Sequence, residues 1–131
     1  MRLIQRHQVP ELRLPGRIIQ KAVGKEDALS FSREMSMGFA HYSAESGPMQ
    51  PHRHAEEIIY VLGVQDGWVR YGGEAEQPDH LTHTIPLEVG MVLHIPANEW
   101  HVFEYGPGGF VDVLFFYGRQ DLFSSHSTTG A

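Results

Sequence analysis

No stretch of this chain longer than two helical turns repeats its apolar residues at the helical period, whereas eight to ten short runs rich in Val, Ile, Phe and Tyr are cut apart by Gly, Pro and Asn. Segments this short cannot bury a helical stripe, but they can bury alternate side chains of a strand, so the pattern predicts an all-β domain, closed or sandwiched. The strands are expected over residues 17–23, 35–44, 57–62, 68–71, 81–85, 89–95, 100–105 and 110–117. Turns are expected at Pro15-Gly16, at residues 45–48, at Gly63, at Asp66-Gly67, at Gly72-Gly73 and at residues 106–109. Within 35–44, Met37, Phe39, His41 and Ser43 share one face, and Gly38, Ala40, Tyr42 and Ala44 share the other.

The 131 residues suit one domain, large enough to bury roughly two thirds of its unfolded surface. Residues 1–15 read as an irregular arm able to reach a partner chain, 16–123 as the folded domain, and 124–131 as a disordered polar tail. Residues 74–80 read as a surface loop. A net charge of −6 with ten scattered Lys and Arg argues against nucleic acid and against an anionic membrane surface as partners. No apolar run reaches the length of a membrane span or a signal-peptide core, which places the chain in the cytoplasm by default. The absence of cysteine removes disulfides, thiolate ligands and a cysteine nucleophile, and leaves any metal to His, Asp and Glu.

Residues 51–62, Pro-His-Arg-His-Ala-Glu-Glu-Ile-Ile-Tyr-Val-Leu, set two histidines and two carboxylates before a strong strand former. Residues two apart on a strand face the same way with Cα atoms roughly 6.5–7 Å apart, so His52 and His54 can share one ion. Arg53 then faces away as a solvated or interface charge. Glu56 has the facing of His54 but lies far along a straight strand from His52, and Glu57 faces the other way. Either carboxylate joins only if the chain turns a corner at Ala55-Glu56. Four ligands are usual, so at least one must come from elsewhere.

Residues 90–101 supply it. Gly90, Pro96, Asn98 and His101 stand at the spacing Gly-x5-Pro-x-Asn-x2-His, which resembles the second motif of the cupin family. Asn98 occupies the place of a glycine there, and Asn is the side chain that best accepts the left-handed backbone of such a turn. The family's first motif, a glycine, then His-x-His, a spacer and a glutamate, is matched by Gly47, His52, His54 and Glu57, with a corner shorter than the family's. Tyr105 stands where many members have asparagine. The resemblance covers residues 47–105 and implies a double-stranded β-helix, the jelly-roll cupin barrel, often paired as a homodimer. It further implies one divalent metal ion in the barrel, held by His52, His54, Glu57 and His101.

Such a ligand set suits Fe, Mn, Ni, Cu or Zn. The function expected is that of a metal-dependent enzyme on a small oxygen-rich molecule, with either dioxygenase-like or Lewis-acid chemistry of the isomerase or lyase kind. The alternative is a cupin that binds a small ligand without turning it over. Candidate acid–base residues are His41, His94 and Glu56. His80, His83 and His126 read as solvent-exposed, and Tyr60, Trp68, Trp100, Phe103, Tyr105, Phe115, Phe116 and Tyr117 as core, interface or pocket wall.

Overall fold

The computed structural model describes residues 1–25, 27–73 and 79–118. The expected tail at 124–131, the domain end at 123, and most of the expected loop at 74–80 fall outside them. Eight strands run through the described residues: β1 Glu11–Leu14, β2 Arg17–Gly24, β3 Ser30–Phe31, β4 Ser36–Ser43, β5 Glu57–Tyr71, β6 His83–Pro86, β7 Val92–Ile95 and β8 His101–Tyr117. They join in the order β1-β2-β4-β8-β5-β6, with β3 beside β2 and β7 beside β5. The fold is all-β, as the punctuation predicts. Among the described residues no helix is long and apolar enough to cross a membrane.

Two long strands organise the barrel. The first half of β5 lies between the end of β8 and β7, pairing Glu57 with both Tyr117 and Ile95. Its second half lies between the start of β8 and β6, pairing Tyr71 with both His101 and His83. β5 and β8 therefore pass from one layer to the other, which is how a jelly roll closes over its core.

This corrects the expected turns at Gly63, Asp66-Gly67 and 106–109, where the chain does not reverse. The register shifts between Val61 and Gly63 and between Gln65 and Gly67, and Asp66 takes φ 49°. Bulges of this kind bend a strand without ending it. Glycine permits the crossing here: a Cβ on Gly67 would lie 2.5 Å from Val111 Cγ2, and one on Gly106 would strike the Asp66 carboxylate.

The core follows the period of two. Along β8, Val111, Val113, Phe115 and Tyr117 are buried while Phe110, Asp112, Leu114 and Phe116 are half-exposed. Ile19, Ala40, Tyr42, Ile59, Val61, Val69, Val102 and Phe103 complete the interior. At about 1.5–3 kcal/mol per large apolar side chain, this layer dominates the driving force for folding.

The arm is more ordered than its sequence suggests. Arg6–Gln8 forms one 3-10 turn, and β1 pairs with β2 from Glu11↔Gln20 to Leu14↔Arg17. The arm packs on its own barrel. Gln20 donates from Nε2 to the Arg6 and Val9 carbonyls at 3.0 Å each, and Arg6 forms two 2.8 Å bonds to Asp112. No sequence pattern announces these pairings, because they depend on which barrel face lies beneath the arm.

Candidate metal centre

His52 and His101 meet in an isolated antiparallel bridge, each donating its N–H to the other's carbonyl at 3.0 Å. The turn before His101 is hooked to the first segment as well, for the Asn98 N–H donates to the His54 carbonyl at 2.9 Å. Asn98 takes φ 68°, the left-handed conformation expected of it. These backbone bonds bring three rings together, with centroids 4.9 Å apart for His52–His54, 4.5 Å for His52–His101 and 5.0 Å for His54–His101. One ligand atom from each lies within 4.8 Å of the others.

The ring nitrogens are arranged for an ion. His54 Nδ1 bonds the Ala55 carbonyl at 3.0 Å and His101 Nδ1 bonds the Glu99 carbonyl at 2.8 Å. A carbonyl only accepts, so each Nδ1 carries the proton and each Nε2 is left as a lone-pair donor. His101 Nε2 is buried without a hydrogen-bond partner, whereas the Gln50 backbone bonds the His52 ring. An unpartnered nitrogen among three closely spaced, buried imidazoles fits a divalent cation, which needs lone pairs and no protons.

The corner at Ala55-Glu56 separates the two carboxylates. The chain bends at Ala55, and Glu57 turns inward at 3% exposure with Oε1 3.4 Å from His54 Nε2 and 3.7 Å from His101 Nε2. Glu56 turns outward and accepts a 2.6 Å bond from exposed His94. The structure thus brings Glu57, and not Glu56, beside the histidines.

Burial sets the electrostatics. Desolvation, then the neighbouring His101 and His54 rings, hold His52 well below the usual histidine range. Desolvation likewise carries His54 down to about 4 and His101 down to about 3, and pushes Glu57 up to about 8. At neutral pH the three imidazoles are uncharged, each keeping one ring proton and one lone pair.

Two further residues act on the site. Tyr117 places its hydroxyl 3.3 Å from His54 Nε2, and its hydrogen bond to Glu57 opposes the rise in that carboxyl's pKa. Arg17, only 5% exposed, adds a positive charge that lowers the pKa of His52, His54 and Glu57. Sequence reasoning placed Tyr117 among core, interface or pocket-wall residues and passed over Arg17. The alternation of Val113, Phe115 and Tyr117 would have turned Tyr117 inward, whereas nothing local marks Arg17.

The three candidate acid–base residues are not brought to the cluster. His41 lies on the outer face of β4, bonded through Nδ1 to Asp112 at 2.8 Å and stacked on Phe110. Its face points out because Gly38, Ala40 and Tyr42 fill the inner one. His94 and Glu56 bond each other on the exposed outer surface. Arg53 lies over the Trp100 ring at 4.7 Å. His83 is exposed, bonded to the Thr82 hydroxyl and stacked on Tyr71 at 5.0 Å.

A cavity of about 230 Å³ adjoins the cluster. Val69 and Tyr71 of β5 and Ile85 of β6 line it from one layer, Leu93 and Ile95 of β7 from the other, His101 belongs to its wall, and Val92, Glu99 and the largely exposed candidate His94 line it too. Among the described pairings β6 and β7 each bond only to β5, so the cavity lies between the outer strands of the two layers.

An antiparallel jelly roll that gathers histidines from a His-x-His segment and from a Gly-x5-Pro-x-Asn-x2-His segment has the fold of a cupin barrel. It is similar to the polyketide cyclase RemF from Streptomyces resistomycificus, at 25% identity over 90% of this chain and 79% of that one, with a TM-score of 0.65. A cupin-like protein from Thermotoga maritima superposes at 17% identity, 86% and 78% coverage and a TM-score of 0.61. Fe(II)-HppE superposes at 12% identity, over 89% of this chain and 60% of that one, with a TM-score of 0.64. No family model matches the sequence, and no curated protein matches it.

Proposed function

We propose that the chain is a metal-dependent cupin enzyme that holds one divalent ion through His52, His54, Glu57 and His101 and acts on a small oxygen-bearing molecule in the adjoining cavity. The observation that carries this reading is the cluster of three buried, neutral imidazoles whose ligand atoms lie within 4.8 Å of one another, with His101 Nε2 left unpartnered inside it. Each buried, unsatisfied group costs about 1–3 kcal/mol, a cost that an ion recovers. When bound, the ion supplies a Lewis acid that polarises a carbonyl or lowers the pKa of water. The backbone bonds of Ala55 and Glu99 orient the His54 and His101 rings, and Tyr117 steadies Glu57 and His54.

Of the two chemistries, the Lewis-acid one has the better support. The likeness to RemF extends over nine tenths of the chain, and closing a ring on a polyketone requires a polarised carbonyl and a moved proton, with no oxidant. Elemental analysis of the purified protein, followed by dioxygen uptake with the iron-loaded chain over diketones, catechols and thiols, tests the choice. Metal-dependent turnover of a ketone without dioxygen consumption is expected. Stoichiometric dioxygen consumption would establish the dioxygenase-like reading instead, and metal-dependent binding without turnover the non-catalytic one.

We also propose a homodimer, supported by the exposed apolar side chains Ile58, Tyr60 and Val92 that lie in register on β5 and β7. Light scattering on the purified chain tests it, and a monomer mass at micromolar concentration would refute it.

A further inference from the structure

The cavity beside the histidines has a chemistry of its own. None of its lining residues is Lys or Arg, its one carboxylate is Glu99, and beside His101 its other imidazole is His94, which is bonded to Glu56. A phosphate, sulfate or polycarboxylate would enter without a counter-charge beyond the ion itself. A sugar fares little better, because Val69, Ile85, Leu93 and Ile95 offer no side-chain hydrogen bonds, its hydroxyls would have only Tyr71, His94, Glu99 and His101 to share, and each one left buried and unpaired costs about 1–3 kcal/mol. Tyr71 adds a flat wall, for its ring is stacked on His83 with planes 20° apart and is thereby held in one orientation. The volume, about 230 Å³, falls below the roughly 300–1,000 Å³ of pockets for drug-sized ligands.

We infer that the substrate is a small, flat and largely apolar ring compound whose oxygen atoms lie along one edge, with its body between Leu93 and Ile95 on one side and Val69, Tyr71 and Ile85 on the other, and with its oxygen edge toward His101. The inference rests on the metal-enzyme reading above and narrows it, since the molecule is oxygen-bearing at one end rather than oxygen-rich throughout. Binding strength then comes from apolar area, at about 25 cal/mol per Å² buried, and orientation from the oxygen edge alone.

Calorimetric titration of the metal-loaded full chain tests it, with 2-acetyl-1-naphthol as the flat hydroxyaryl ketone and with oxaloacetate and ribose 5-phosphate as polar competitors. Saturable binding of the naphthol is expected, at least ten-fold tighter than either polar probe. Leu93→Trp and Ile85→Trp fill the cavity from its two walls, and each should weaken naphthol binding at least ten-fold with metal content unchanged. Should one variant misfold by circular dichroism, the other carries the test. Tighter binding of oxaloacetate or ribose 5-phosphate, or naphthol affinity unmoved by the folded variants, would overturn the inference. Elemental analysis of the same samples keeps the two readings apart: a metal-free protein that binds naphthol in a Leu93- and Ile85-dependent way refutes the metal and supports the substrate class.

Discussion

The backbones of His52 and His101 are joined by two 3.0 Å hydrogen bonds, so the two halves of the histidine cluster are covalently distant and structurally adjacent. The cluster is as rigid as the sheet that carries it. Its side chains therefore separate from the other histidines in a way that substitution reveals. His52→Ala and His101→Ala are expected to remove the ion, and His83→Ala, on an exposed ring stacked on Tyr71, to leave it in place. Metal content by elemental analysis checks this, and equal loss from His83→Ala would mean that another cluster holds the metal.

Glu57 and Glu56 are neighbours with opposite surroundings, one beside His54 and the other bonded to His94 on the surface. Glu57→Gln should weaken metal binding by at least roughly ten-fold, since even partners outside the ligand set contribute that much. Glu56→Gln should leave affinity unchanged. Competition with a chromogenic chelator measures both, and the reverse order would move the ligand to Glu56.

How far this site was legible in the sequence depends on the residue. His52, His54 and His101 could be picked out because strand parity and motif spacing are local, and Asn98 because only a few side chains accept φ 68°. His41 could be assigned to the right face but not to the right side of the sheet. Its neighbours Met37 and Phe39 make that face look like the core, yet β4 turns Gly38 inward, where Phe115 leaves no room for a side chain. The long strands β5 and β8 were hidden for a related reason. A glycine or a left-handed Asp marks a bulge and a hairpin turn alike, and only the partner strand decides between them.

Asn98 also offers a test of the turn itself. A left-handed backbone costs an ordinary L-residue roughly 1–2 kcal/mol and costs glycine almost nothing. Asn98→Ala is therefore expected to lower stability by about 1 kcal/mol, and Asn98→Gly to lower it less or raise it. Urea denaturation of the metal-free chain resolves the two. Equal losses would assign the Asn98 contribution to its side chain rather than to φ.

Tyr117→Phe removes one hydroxyl from a fully buried ring and leaves its packing against Phe115 and His54 intact. A small stability change, about 1 kcal/mol, is expected from the lost bond. Metal affinity should fall more, roughly ten-fold, because Glu57 and His54 lose the group that steadies them. A chelator competition that shows wild-type affinity in Tyr117→Phe would reduce Tyr117 to a core residue.

Asp112 contributes to the acid limb of stability beside the three buried histidines, whose depressed pKa values already cost stability as pH falls below about 6.5. Burial pushes its pKa up, but the bonds from Arg6 and from His41 outweigh burial and hold the carboxyl below the usual aspartate range. A carboxylate with a folded pKa below its unfolded value of about 3.9 adds stability that is complete above that value and is lost as pH falls through the folded one. The same bonds dock the arm on the barrel, so arm and carboxylate should be released together. Melting temperatures from pH 6 to pH 2 are expected to fall more steeply below about pH 4 in the wild type than in Asp112→Asn, which lacks the titrating group. Parallel curves for the two proteins would place the acid transition on other groups, the buried His52, His54 and His101 among them.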